Sequence, residues 1–154
     1  MDEEAKKIVK IGIASDHRGV EVKQEIIRDL ESLGYEVFNF GTNTEESVDY
    51  PEYAFKVGES VVQKEVDLGI VICGTGIGMS IACNKVKGVR CAKVHTKEEA
   101  FLTRSHNNAN VLAISAHDSI DLLKELVHTF ITTPFSGEER HIRRIEEITE
   151  YENA

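Results

Sequence analysis

The stretch LGIVIC, residues 68–73, carries no charge and no strongly polar side chain. A strand that is apolar at every position must be covered on both faces. It is followed by Gly74-Thr75-Gly76-Ile77-Gly78, which breaks the run before an apolar segment around Ser80 that reads as a helix. The same alternation fills the chain. IVKIGIAS (8–15), YEVFNFG (35–41), GVRCAKV (88–94) and NVLAIS (110–115) read as the other strands. VEVKQEIIRDLESLG places Val20, Val22, Ile26, Ile27, Leu30 and Leu33 at helical spacing, with Gly34 as a stop. YAFKVGESVVQK, KEEAFLTRSH and SIDLLKELVHTFITT read as helices, and GEERHIRRIEEITEYENA as a charged amphipathic one. Strand followed by helix, five times over, predicts a five-stranded parallel sheet with helices on both faces. No repeat, low-complexity tract or linker interrupts it, so residues 1–154 are expected to form one domain.

Charge and cysteine usage narrow the function. A net charge of −9 argues against a general nucleic-acid or membrane-surface role, so contacts to an anionic ligand must be local. No apolar run reaches the roughly 18 residues of a membrane span. The opening MDEEAKKIVK lacks the long apolar region of a signal peptide. Cys73, Cys83 and Cys91 are an odd set with no disulfide framework, which suits a reducing cytoplasm. Cys83 and Cys91 are expected inside their elements as packing residues. The six histidines show no metal-ligand spacing, so neither metal nor cofactor is expected.

In an open parallel sheet, ligands bind beyond the C-terminal ends of the strands, at a topological switch point. Asp16, His17 and Arg18 follow the first strand, and Gly41 and Thr42 the second. Cys73 through Gly78 follow the third, and Ser115, Ala116 and His117 the fifth. The glycines allow close approach of a ligand to backbone N–H groups that can cradle an oxyanion. No Gly-Lys-Ser/Thr follows, so this is not a Walker loop, and Met79 stands at the third glycine of a dinucleotide fingerprint. A thiol before a helix N-terminus is a competent base or nucleophile. By residues alone the glycine loop and Cys73 favour ligand contact and chemistry over a tight turn and a small core residue, while His106 could be a capping or core histidine and Asp16-His17 an ordinary polar loop.

The ordered set SDHRG, GT, SVDYPEYA, ICGTGIGMSIACNKVKGVR, RSHNNANVL and TPFSGEERHIRRI covers nearly the whole chain. Together these stretches closely resemble the ribose-5-phosphate isomerase B family of sugar-phosphate isomerases. The resemblance implies a Rossmann-like three-layer α/β/α sandwich with a C-terminal helix. It also implies a homodimer, sometimes a tetramer, and metal-free interconversion of ribose 5-phosphate and ribulose 5-phosphate through an enediolate. It assigns Cys73 as the base, Thr75 as a hydroxyl assisting proton transfer, and His106 to opening the furanose ring. Backbone from Gly74 through Gly76 to Gly78 is implied as the anion hole. Asp16, His17 and Asn107 are implied as substrate contacts, and Arg140 and Arg144 as phosphate contacts reaching the partner subunit's Cys73 loop. Isomerisation of allose 6-phosphate or galactose 6-phosphate, or non-catalytic sugar-phosphate binding, are the alternatives. Two departures stand out. Family members often read GGRH where this chain has Gly137-Glu138-Glu139-Arg140-His141, and many carry an arginine where this chain has His117.

Overall fold

The computed structural model describes residues 7–8 and 10–154. Five parallel strands form one sheet: β1 (Lys10–Ser15), β2 (Glu36–Asn39), β3 (Leu68–Cys73), β4 (Cys91–Lys93) and β5 (Val111–Ser115). The helices are α1 (Val20–Ser32), α2 (Pro51–Val62), α3 (Ile77–Cys83), α4 (Lys97–Ser105), α5 (Ile120–Thr132) and α6 (Glu139–Glu152). A short 3-10 turn, His17–Gly19, links β1 to α1. The expected sandwich is therefore present; residue 9, at the head of the first expected strand, lies outside the described residues. Among the described residues, no helix is long and apolar enough to cross a membrane.

The strand order is β2-β1-β3-β5-β4. From β1 the chain steps outward to β2, then returns to the other side of β1 to lay down β3. The adjacent ends of β1 and β3 are thus the switch point, where neighbouring connections leave in opposite directions and open a crevice.

Alternation along each strand divides the core. Leu68, Ile70 and Ile72 pack with Ile26 and Leu30 of α1, Ala100 of α4, and Leu123, Leu126, Val127 and Phe130 of α5. Val71 and Cys73 pack with Ala54, Val57 and Val61 of α2 and Met79, Ala82 and Cys83 of α3. Gly69 lies on this second face because a Cβ there would sit 2.5 Å from Val57 Cγ1. The helices begin and end where local chemistry dictates. Gly34 has φ +96° after α1, with Gly34 N–H donating to Glu31 O and Tyr35 N–H to Leu30 O, a Schellman stop. Pro51 opens α2, Thr96 and Glu99 form a capping box on α4, and Ser119 caps α5.

Cys83 ends α3 and Cys91 opens β4, at element ends rather than interiors, and both are free thiols. The Cys83 thiol beside it, and then burial, push the Cys91 thiol up, as suits a packing residue.

Lys23 lies on the apolar stripe of α1 and is 0% exposed. Its Nζ donates to Asn39 Oδ1 (2.8 Å), Asn43 Oδ1 (2.9 Å) and the Thr42 carbonyl. The clamped segment is bonded both ways to the end of β1: Ser15 N–H to Gly41 O and Thr42 N–H to Ser15 O. Lys23→Met should leave the Thr42 carbonyl without a donor, while Asn39 Oδ1 keeps Gly41 N–H and Asn43 Oδ1 keeps Asn39 Nδ2, and lower stability by about 1–3 kcal/mol in urea denaturation. Burial lowers Lys23 from 10.5 to about 8. Between these two values the unfolded chain holds the extra proton, so this residue's contribution to stability rises with pH. Wild type should therefore gain stability relative to Lys23→Met between pH 8 and 10.5; a constant difference across that window would contradict the assignment.

Candidate active site

Cys73 is the last residue of β3 and 5% exposed. Its Sγ accepts a hydrogen bond from Gly76 N–H at 3.2 Å. A thiolate accepts such a bond better than a thiol does. The chain can fold back this tightly because Gly76 has φ +83°. A Cβ there would lie 3.0 Å from the Ile114 carbonyl carbon. Thr75 Oγ1 accepts from Ile77 N–H at 3.1 Å. Gly78 lies under the Tyr50 ring, whose Cζ would be 2.7 Å from a Cβ. Two N–H groups of the expected anion hole, those of Gly76 and Ile77, are thus already engaged by Cys73 and Thr75.

Ser115 pairs with Cys73 across the β3–β5 register. Its hydroxyl donates to Gly74 O at 2.6 Å and accepts from His117 N–H at 3.1 Å. At the end of β1, Asp16 Oδ1 accepts from Arg18 N–H (2.9 Å) and Gly19 N–H (3.2 Å). His17 Nδ1 accepts from Val48 N–H at 3.3 Å, which leaves Nε2 to carry the ring proton as a donor. Asp16, Arg18, Tyr50, Cys73, Thr75 and His117, with Gly74 and Gly78, line a cavity of about 250 Å³. A larger cavity, about 610 Å³, lies beside Ile8, Tyr35, Arg104 and Thr133. Among the described residues, no thiol, carboxylate or histidine lines it. The smaller cavity is the one that brings a thiol, a carboxylate and a histidine together. Among the described residues no group of three histidine, cysteine or acidic side chains is placed to hold a metal.

A second cluster forms elsewhere. His106, the residue after α4, stacks on His141 of α6 with ring centroids 4.3 Å apart. His141 is buried and bonded through Nδ1 to Ser136 Oγ at 2.8 Å. Burial, and then the nearby His106, Arg140 and Arg144, lower His141 from its ordinary value. The turn bearing Asn107 is held by Arg90, which donates to the Asn107 and Asn108 carbonyls, and by Arg104, which donates to Asn108 Oδ1. Glu138 turns onto Arg140 (3.3 Å) and Glu139 onto Arg143 (2.6 Å), while Arg144 has no acidic partner among the described residues. Of the isoleucines of α6, Ile145 is half-buried, whereas Ile142 is 39% and Ile148 56% exposed within the chain.

Asp16, Cys73, Gly74, Thr75 and Gly78 therefore meet in one cavity, with Gly76 and His17 adjoining it. His106, Asn107, Arg140 and Arg144 do not. From its capped start at Thr96, beyond the end of β4, α4 runs back along the sheet for nine residues, about 13 Å. It leaves His106 near the start of β5 at Val111, whereas Cys73 is level with Ser115 at the end of β5. Those four strand steps are also about 13 Å. Sequence reasoning assigned no role to Tyr50, which carries no local signal beyond preceding Pro51, or to Arg90 and Arg104, whose targets are backbone carbonyls and, for Arg104, also Asn108 Oδ1. Arg18 was visible only as a residue following a strand, and His117 as that and as the position where many family members carry an arginine.

Residues 11–148 match the protein family described as Ribose/Galactose Isomerase. Ribose-5-phosphate isomerase B of Escherichia coli is 42% identical over 144 residues, covering 93% of this chain and 96% of that protein. Clostridium thermocellum ribose-5-phosphate isomerase B superposes with a TM-score of 0.92 at 47% identity, covering 94% of this chain and 98% of that one. The Mycoplasma genitalium ribose-5-phosphate isomerase B, solved with bound ribulose-5-phosphate, superposes with a TM-score of 0.90 at 40% identity, covering 96% of this chain and 99% of that one. A match across nearly the full length, in sequence and in backbone, places this chain in the ribose/galactose isomerase family, as a sugar-phosphate isomerase of the ribose-5-phosphate isomerase B type.

Proposed function

We propose that this chain interconverts ribose 5-phosphate and ribulose 5-phosphate, as a homodimer in which each site is shared between two chains. The observation that carries the reading is Cys73: its sulfur lies at the cavity in the switch-point crevice, bonded to a backbone N–H and flanked by Thr75. Aldose–ketose isomerisation needs a base that removes a proton from C2 and returns it to C1, and donors for the enediolate oxygens between those steps. Cys73 moves the proton, Thr75 and the Gly74–Gly78 backbone support the oxygens, and Asp16 and His17 hold the sugar. His106 shuttles the proton that opens the furanose ring, as a group suited to both giving and taking it near neutral pH. Asn107 holds a sugar oxygen, and Arg140 and Arg144 bind the phosphate. Only protons move, so the scheme calls for no cofactor.

The separation within one chain supports sharing. His106 lies about 13 Å along the sheet from the level of Cys73, too far to act on one pentose without a second chain. Ile77 and Ile81 on α3, and Ile142 and Ile148 on α6, are exposed apolar residues next to the two half-sites. A second copy placing its His106–Arg144 cluster over this Cys73 loop would cover them, and two such dimers would make a tetramer. Each chain acts as a single domain, and its three free thiols support a cytoplasmic location.

The test is an isomerisation assay on purified protein with ribose 5-phosphate, allose 6-phosphate and galactose 6-phosphate. Turnover is expected with the pentose at the highest kcat/KM. Higher kcat/KM on a hexose phosphate would move the assignment within the family, and inactivity on all three would leave a binding module.

A further inference from the structure

An exposed arginine, Arg18, lines the cavity and has no role so far. Arg18 and His117 follow different strands, β1 and β5, yet approach the same point. A Cβ on Gly74 would lie 3.3 Å from Arg18 Cδ, 4.0 Å from Arg18 Nη1 and 3.6 Å from His117 Nε2. Neither residue reaches there by chance of a mobile backbone. Arg18 N–H is bonded to Asp16, and the following Gly19 is wedged onto the sheet, where a Cβ would be 2.8 Å from Ile72 Cγ2 and 2.9 Å from Ser15 Cβ. His117 N–H is bonded to the Ser115 hydroxyl, itself bonded to Gly74 O.

No carboxylate pairs with the Arg18 guanidinium among the described residues. Asp16 is the acid lining this cavity, and its Oδ1 already serves two backbone N–H groups. In a chain of net charge −9, an unpaired arginine aimed into a crevice is the local cation that an anionic ligand requires. Its planar fork matches a phosphate. The side is also right. Successive positions at a strand end face opposite ways, so the Cys73 sulfur turns to the α2–α3 face and the Gly74 position toward Arg18 and His117. A phosphosugar lying across the strand end can present its reacting carbons to Cys73 and its phosphate to the other side, where the absence of a Gly74 side chain leaves the approach open.

We infer that Arg18, aided by His117, binds the substrate phosphate from the same chain that supplies Cys73. The inference rests on the phosphosugar reading of the site. It divides the phosphate contacts between Arg18 on one chain and Arg140 and Arg144 on the other.

Steady-state kinetics on Arg18→Gln, Arg18→Lys and wild type, with inorganic phosphate as competitive inhibitor, test it. Loss of a bidentate charged contact should raise KM for the phosphosugar and Ki for phosphate together, roughly ten- to a hundredfold, with kcat within a few-fold. Arg18→Lys should recover part of both. Unphosphorylated ribose, where turnover is measurable, should be converted equally by Arg18→Gln and wild type. Unchanged KM and Ki in an active Arg18→Gln enzyme overturn the inference, as does equal loss on ribose and ribose 5-phosphate. Calorimetric titration with inorganic phosphate separates the two readings. If wild type isomerises no phosphosugar, the functional reading falls, while weaker phosphate binding by Arg18→Gln than by wild type still supports the anion site. Equal binding, or none to wild type, overturns it.

Discussion

Cys73→Ala should remain folded and lose roughly 10²–10⁴-fold in kcat, the usual contribution of a positioned base. The substitution removes one sulfur from a strand end beside a cavity, so little packing is lost. The Gly76 N–H loses its acceptor, but it adjoins a cavity that water can enter. Stability should therefore change by only about 1 kcal/mol, and circular dichroism with a urea midpoint would separate a catalytic loss from an unfolding one. Cys73→Ser should rescue little, because a hydroxyl is far less acidic than a thiol. Iodoacetamide should inactivate wild type, with ribose 5-phosphate protecting, although Cys73 is mostly covered and the reaction should be slow. Wild-type turnover by Cys73→Ala would remove the proposed base.

Mixing two nearly inactive variants should restore activity. In a twofold dimer with shared sites, a heterodimer of Cys73→Ala and His106→Asn chains contains one site with both defects and one with neither. Random exchange of equal amounts should then return about a quarter of wild-type activity, since half of the dimers are mixed and each has one good site. The motive is geometric: His106 stacks on His141 beside α6, level with the start of β5, whereas Cys73 is at its end. Subunit exchange would be verified by differential tagging. If tagged heterodimers form and activity stays at the level of the parents, the ring-opening group belongs to the same chain as the base, or His106 has no such role.

The layered fold was legible in the chain because hydrophobic period is a local property. LGIVIC reads as a doubly covered strand wherever it lies, and β3 is buried at every position. Gly34, Pro51 and Thr96 act within a turn of where they stand, so helix ends were legible too. The loop from Cys73 to Gly78 stood out for the same reason, and so did the strand-end positions of Asp16 and His17. The burial of Lys23 was not legible, because a lysine on the α1 stripe needs acceptors, and Asn39, Thr42 and Asn43 come from another part of the chain.

What only the tertiary structure decided depends on which strand ends become neighbours. The order β2-β1-β3-β5-β4 makes β5 the partner of β3, so Ser115 supports Gly74 and His117 meets Arg18. It brings Tyr50 over Gly78, a contact between residues 28 positions apart that no local pattern encodes. It also carries His106 to the opposite end of the sheet from Cys73, because α4 runs antiparallel to the strands. Period and capping act over a few residues and are written into neighbouring side chains. A site is assembled from segments that meet only after the sheet has chosen its order, and here each chain holds Cys73 and His106 apart.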